Sequence, residues 1–272
     1  MVDAAEAVSK AKDAVAERAD LPGMSLMEHL DELRRRIIHV AIYLAVGFLA
    51  AWFLREPLFS WFARPLTKIG VKLTFTHPMD PLNLYMQVAL IGGAILVSPL
   101  LFWEIWMFIA PGLYQKEKRF VVPFMTATVG LFLGGAAFAY FWVLPGALRI
   151  LIIGFGKDFN SMVTIEEYTS FFLSVMLGLG ISFEMPILIF FLALFGIVSP
   201  RFLWKNIRYA VFLCFLISAI ICPSPDPWTM ALFAMPMLGL YLIGIAVAWW
   251  VHPKKRQARK AKKEMKAQKL AG

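Results

Sequence analysis

Apolar residues recur at helical spacing near the N-terminus: Leu26, Leu30, Leu33 and Ile37 form one stripe, with Glu28, Asp31, Glu32 and Arg35 off it. Ser25 and Glu28 have the S-x-x-E spacing of a capping box, which predicts a helix beginning at Ser25. Residues 37–54 carry no charge, so this amphipathic helix runs straight into a membrane span, with Arg34, Arg35 and Arg36 at the junction. Five more apolar runs follow, at 82–109, 120–144, 169–198, 209–222 and 228–251. Between the first two, segment 55–81 carries Pro57, Pro65, Pro78 and Pro81. It is too interrupted to span and is expected to cap the bundle, its aromatics in the membrane interface. Segment 145–168 is a second long connection; 111–119, 199–208 and 223–227 are compact turns. The fifth run has 14 residues. At about 1.5 Å per residue it reaches only about 21 Å, against a hydrocarbon core of about 30 Å. The third contains Gly130-x-x-x-Gly134-Gly135, a spacing that permits close helix packing and is common in membrane helices.

Composition narrows this to a class. Of 272 residues, 60% are hydrophobic and 17% charged, which fits an all-α polytopic membrane protein. The net charge of +9 does not point to nucleic acid, because nine of the 27 Lys and Arg lie in the tail 254–269, a pattern suited to an anionic membrane surface. Six spans put both termini on one side. If that side is the cytoplasm, 21 of the 27 positive charges lie inside and six outside, so both termini are expected to be cytoplasmic. The chain divides into a mobile extension at 1–23, ending at Pro22-Gly23, a six-helix domain at 24–252 and a basic tail at 253–272. The polar N-terminus lacks the apolar segment of a cleavable signal peptide. Cys214 and Cys222, about 12 Å apart if on one helix, read as apolar packers rather than a disulfide.

Two acids stand inside apolar runs: Glu104 in SPLLFWEIWMF and Glu184 in GISFEMPIL. A carboxylate at membrane depth costs free energy, so each should face the bundle interior or a hydrated cavity. The plain alternative is a protonated carboxyl kept for packing. No phosphate-cradling G-x-x-x-x-G-K-[ST], no G-x-S-x-G and no H-E-x-x-H occurs, and His29, His39, His77 and His252 are scattered. His29 and His39 read as interfacial polar residues. The pattern favours binding, transport or assembly over catalysis, with no cofactor and no metal. One reading of the two acids is a small proton- or cation-coupled secondary transporter using Glu104 and Glu184, although spans one to three show no similarity to spans four to six. A structural membrane scaffold is another.

From Leu26 to about Trp250 the chain resembles the TatC family of the twin-arginine protein translocase. HLDELRRR resembles the family's N-terminal amphipathic helix, with its characteristic acid and arginine at Glu32 and Arg34. FIAPGLYQKEKRF resembles the first cytoplasmic loop, with Phe108 and Glu117 at the characteristic positions. Pro65, Tyr140, Glu184 and Asp226 fall at others. The resemblance implies a glove-shaped, concave six-helix receptor with short fifth and sixth helices, in the bacterial inner membrane. It implies signal peptides with paired arginines as ligands, single-span TatA- and TatB-type subunits as partners, and proton-motive force as the energy source; self-association is open. Glu32 and Glu117 would read the two guanidinium groups, a pairing that lysines reproduce poorly. Taken alone, Glu32 is an ordinary i,i+4 partner of Arg36 and Glu117 part of a solvated turn. Glu104 stands where the family pattern has a glutamine partnering Glu184, so the two carboxyls are expected to share a site and one proton.

Overall fold

The computed structural model describes residues 26–109, 121–194, 196–222 and 226–251. The expectations for the extension, the basic tail, Ser25, Glu117 and Pro223–Pro225 lie outside the described residues. Within the described residues ten α-helices follow in order: α1 (Leu26–Phe53), α2 (Arg55–Thr67), α3 (Asp80–Ile109), α4 (Val121–Phe138), α5 (Leu144–Leu148), α6 (Ile165–Ser182), α7 (Met185–Leu194), α8 (Pro200–Lys205), α9 (Ile207–Ile221) and α10 (Pro227–Val251). Among the described residues five helical segments are long and apolar enough to cross a membrane, and α9 is a shorter apolar helix. The amphipathic start and first apolar run form one unbroken helix, as the stripe predicts. At 15 residues α9 is as short as expected. The sixth span is not: α10 has 25 residues, a full crossing, against the short helix that the resemblance implies.

Two connections differ from expectation, each for a local reason. Segment 55–81 is more regular than its four prolines suggest. Its first half is helix α2, and Phe62 and Leu66 are wholly buried in the main core. Pro145 does not end the third span either. The chain widens into a π-helical stretch (Ala139–Val143), in which Leu144 N–H bonds Ala139 O five residues back. It then passes through α5 and a second π-helical stretch, Arg149–Phe155. A proline can sit in a helix when the turns around it change register and its missing N–H is not demanded. The fourth span breaks between Ser182 and Met185. Pro186 offers no N–H to Ser182 O, and Glu184 N–H has tightened onto Ile181 O, so the helix restarts as α7.

The main core joins α2, the Ala139–Leu148 stretch, α6 and α10 through Phe62, Tyr140, Leu144, Tyr168, Phe172 and Phe233. A smaller cluster, with Ile189, Tyr241 and Ile245, joins α7 to α10. Cys214 and Cys222 are buried and not joined in a disulfide, as their packing role requires. At one end of the bundle two short parallel strands, β1 (Leu73–Thr74) and β2 (Val163–Thr164), tie the two long connections together. Thr164 then caps α6 by accepting Glu167 N–H.

Of the Gly130 motif, Gly130 and Gly134 have nothing within 4 Å of an added Cβ, whereas one on Gly135 would lie 2.7 Å from the Phe183 side chain; backbone does not meet backbone there. Instead α1 and α3 cross at Gly47 and Gly93, where a Cβ on Gly93 would lie 2.6 Å from the Gly47 carbonyl carbon. Backbone against backbone cannot yield by rotamer change. Gly93→Ala is therefore expected to destabilise the protein by about 1–3 kcal/mol, the usual cost of overpacking, whereas Gly130→Ala leaves stability unchanged. Thermal unfolding in detergent checks this; equal midpoints for the two variants would sink it.

Candidate functional site

The polar chemistry of α1 meets that of α3 near the C-terminal end of α3. Glu32, Arg36, His39 and Tyr43 follow one another at spacings of four, three and four, so they share one face of α1. That face points at Glu104, whose side chain is only 5% exposed. Arg36 Nη1 donates to Glu104 Oε2 at 2.6 Å, and Arg36 Nη2 donates to Glu32 Oε1 at 3.1 Å. His39 Nδ1 lies 3.2 Å from Glu104 Oε1, and the Tyr43 hydroxyl reaches the same oxygen at 3.5 Å. Glu104 thus has donors at both oxygens and an opposite charge within contact, the condition under which a buried carboxylate can stay charged. Glu32 does not: its Oε2 is buried with no hydrogen-bond partner among the described residues, and so is Arg36 Nε. One turn earlier, His29 stacks on Phe108 at 4.5 Å between ring centroids. Arg34 is exposed on the far side of this contact.

This geometry corrects one expectation. Glu104 and Glu184 do not share a proton. Glu104 is bonded to Arg36, and Glu184 Oε1 is buried without a hydrogen-bond partner among the described residues. An arginine one helix away competes better for a carboxylate than a second acid can. His39, read from the sequence as an interfacial polar residue, reaches Glu104 from the partly exposed edge of the α1–α3 contact. Glu184 instead occupies the break between α6 and α7, where the restarted helix uses its carbonyl as acceptor for Ile187 and Leu188 N–H.

Pro65 and Tyr140, far apart in sequence, form one device. Pro65 lies inside α2 and has no N–H for the carbonyl four residues back, which is Trp61 O. The Tyr140 hydroxyl donates to Trp61 O at 2.8 Å, and the Tyr140 ring stacks on Trp61 at 4.3 Å. Tyr168, which sequence reasoning missed, donates to the next carbonyl, Phe62 O, at 2.9 Å. A buried tyrosine between apolar runs was the available signal, since its hydroxyl must find a partner. Also missed was Trp106 Nε1, which donates to Thr128 Oγ1 at 3.1 Å across α3 and α4. Asp226 is the N-cap of α10. Its Oδ2 accepts Thr229 N–H at 2.7 Å and the Thr229 hydroxyl at 2.8 Å, with Pro227 at the first helical position.

The architecture is that of a multi-pass helical membrane protein in which an arginine–carboxylate ion pair, Arg36 with Glu104, joins two helices. The family description "Sec-independent protein translocase protein (TatC)" matches residues 28–236. The chain belongs to this TatC family, a family of protein translocase components and not of enzymes. It is 48% identical over 250 residues to the Sec-independent protein translocase protein TatC of Koribacter versatilis, covering 90% of this chain and 92% of that one. It is 35% identical over 231 residues to the TatC of Carboxydothermus hydrogenoformans, covering 85% and 95% respectively. A crystal structure described as the twin arginine translocase receptor TatC superposes with a TM-score of 0.73 at 36% identity, covering 82% of this chain and 99% of that one.

The Pro65–Tyr140 pairing makes a quantitative prediction. Tyr140→Phe leaves Trp61 O buried without a donor and should cost about 1–3 kcal/mol. Pro65→Ala supplies an N–H to that carbonyl, so the Tyr140→Phe penalty should shrink in a Pro65→Ala background. Unfolding midpoints for the two single variants and the double variant measure the coupling; strict additivity would refute the pairing.

Proposed function

We propose that this translocase component is the receptor for signal peptides carrying two adjacent arginines, ahead of folded cargo. Glu32 on α1 and Glu117 in the loop after α3 each take one guanidinium group. A carboxylate offers a guanidinium two parallel acceptors, and the rigid fork of arginine fits them where the point charge of lysine does not. Arg34 lies on the same turn as Glu32. The observation that carries this reading is the His29–Phe108 stack. It joins the first turns of α1, with Glu32, to the end of α3, from which the segment bearing Glu117 departs nine residues later. The buried, unpartnered Glu32 Oε2 supports it further, because a buried acceptor is costly until a donor arrives.

On this reading the chain has six spans, lies in the bacterial inner membrane and has both termini in the cytoplasm, as the excess of positive charge on that side supports. The signal's apolar stretch lies along the concave face of the bundle. Glu184, a membrane carboxyl with an unsatisfied oxygen, meets a polar group of a single-span TatA- or TatB-type subunit. Proton-motive force drives the export that this assembly begins. The transporter alternative loses its basis, because Glu104 is held by Arg36 and is not part of a two-acid site.

The expected result is that a synthetic twin-arginine signal peptide binds the purified full chain in nanodiscs, and that replacing both arginines by lysine weakens binding at least about tenfold. Glu32→Gln and Glu117→Gln should each weaken binding of the arginine peptide while narrowing its advantage over the lysine peptide. Equal binding of the two peptides to the parent chain would end the receptor reading.

A further inference from the structure

Arg36 bridges two carboxylates, and the two contacts are unequal. Its Nη1 lies 2.6 Å from Glu104 Oε2, and its Nη2 lies 3.1 Å from Glu32 Oε1. Glu104 is the more buried of the two acids and also holds His39 and Tyr43 on its other oxygen. Coulombic attraction grows as the distance and the effective dielectric fall, so the guanidinium charge is spent chiefly on Glu104. Two carboxylates share one guanidinium, so the arginine–carboxylate set carries one more negative than positive group. The acceptor left without a donor among the described residues is Glu32 Oε2, which is itself buried. Among the described residues Glu32, Arg36, His39, Tyr43 and Glu104 are the titratable groups bonded within this cluster.

We propose that Glu104 is a positioning residue for signal recognition: by occupying Arg36 it keeps Glu32 from being neutralised within the chain, so that Glu32 can accept an incoming guanidinium. The proposal rests on the reading that Glu32 binds the signal. Without the charge at position 104, Arg36 has Glu32 as its only carboxylate in this cluster. A complete intramolecular ion pair then competes with the ligand, and the arginine–carboxylate set has no surplus negative group. The alternative role, that Glu104 merely holds α1 against α3, makes the opposite demand on a double variant. Removing Arg36 as well as the Glu104 charge deletes the internal competitor and restores the surplus negative group, while removing more of the inter-helix contact.

The test is binding of the twin-arginine peptide and its lysine-pair counterpart to the full chain in nanodiscs, over a series of salt concentrations. Glu104→Gln should bind the arginine peptide about tenfold more weakly, with a flatter salt dependence, since the ligand then meets an already paired acid. Glu104→Asp, which keeps the charge, should stay within about threefold of the parent. Arg36→Gln combined with Glu104→Gln should return to within about threefold of the parent and regain the steep salt dependence. The proposal is overturned if Glu104→Gln binds like the parent, or if the double variant binds no better than the single one. Those results would leave signal binding at Glu32 standing. Failure of the parent chain to distinguish the two peptides would overturn both readings together.

Discussion

A backbone carbonyl in hydrocarbon has no water to turn to, and leaving one without a donor costs several kcal/mol. This chain places prolines inside its helices at Pro65, Pro99 and Pro236, and close after a helix break at Pro186. Each removes a donor that an uninterrupted helix would supply. The packing of the main core follows from how these demands are met. At Trp61 O, which Pro65 leaves without its helical donor, Tyr140 donates, and Tyr168 adds a bond to the neighbouring Phe62 O. Because those tyrosines come from the third and fourth spans, α2 is drawn down between them. Phe62 and Leu66 are buried there. Around Pro145 the answer is different: the helix itself widens. A single chemical constraint thus has one tertiary and one local solution in the same protein.

The second organising feature is electrostatic. A membrane protein can keep an ionised carboxylate at depth only with a cation and enough donors to satisfy its oxygens. Glu104 has both, from one face of α1, and the approach needed to deliver them depends on the Gly47–Gly93 crossing further along the same pair of helices. The two features act together: backbone contact brings α1 onto α3, and the ion pair fixes the rotation of α1 about its own axis. That rotation also puts His29 on Phe108. A helix otherwise exposed along Ile38, Ile42, Val46 and Leu49 is held by one narrow seam.

Membership of the TatC family accords with this division of labour. The parts that make the fold, Pro65 with Tyr140 and Asp226 at the start of α10, are polar or backbone-restricting residues inside an apolar chain, each with an identified hydrogen-bonding reason to be there. Two of the residues proposed to meet ligands and partners, Glu32 and Glu184, have a carboxylate oxygen without a hydrogen-bond partner among the described residues. Incomplete satisfaction of a buried acceptor is costly to an isolated molecule and useful to one that binds.

Hydrophobic periodicity and run length were sufficient for the membrane class, the positions of the spans, the unbroken passage from amphipathic to membrane helix, and the shortness of α9. These are properties of one helix in one solvent, so they can be read along the chain. The apolar stripe of the first helix and its Glu32–Arg36 pair were equally legible, and so were Glu104 and Glu184 as acids out of place. What each of these faced was not. Glu104 pairs with Arg36 and not Glu184, Tyr140 answers Pro65, and backbone meets backbone at Gly47 and Gly93 and not at Gly130 and Gly134. Each depends on which faces of separate helices are turned toward one another. That choice minimises unsatisfied polar groups over the whole bundle, and no local pattern contains it.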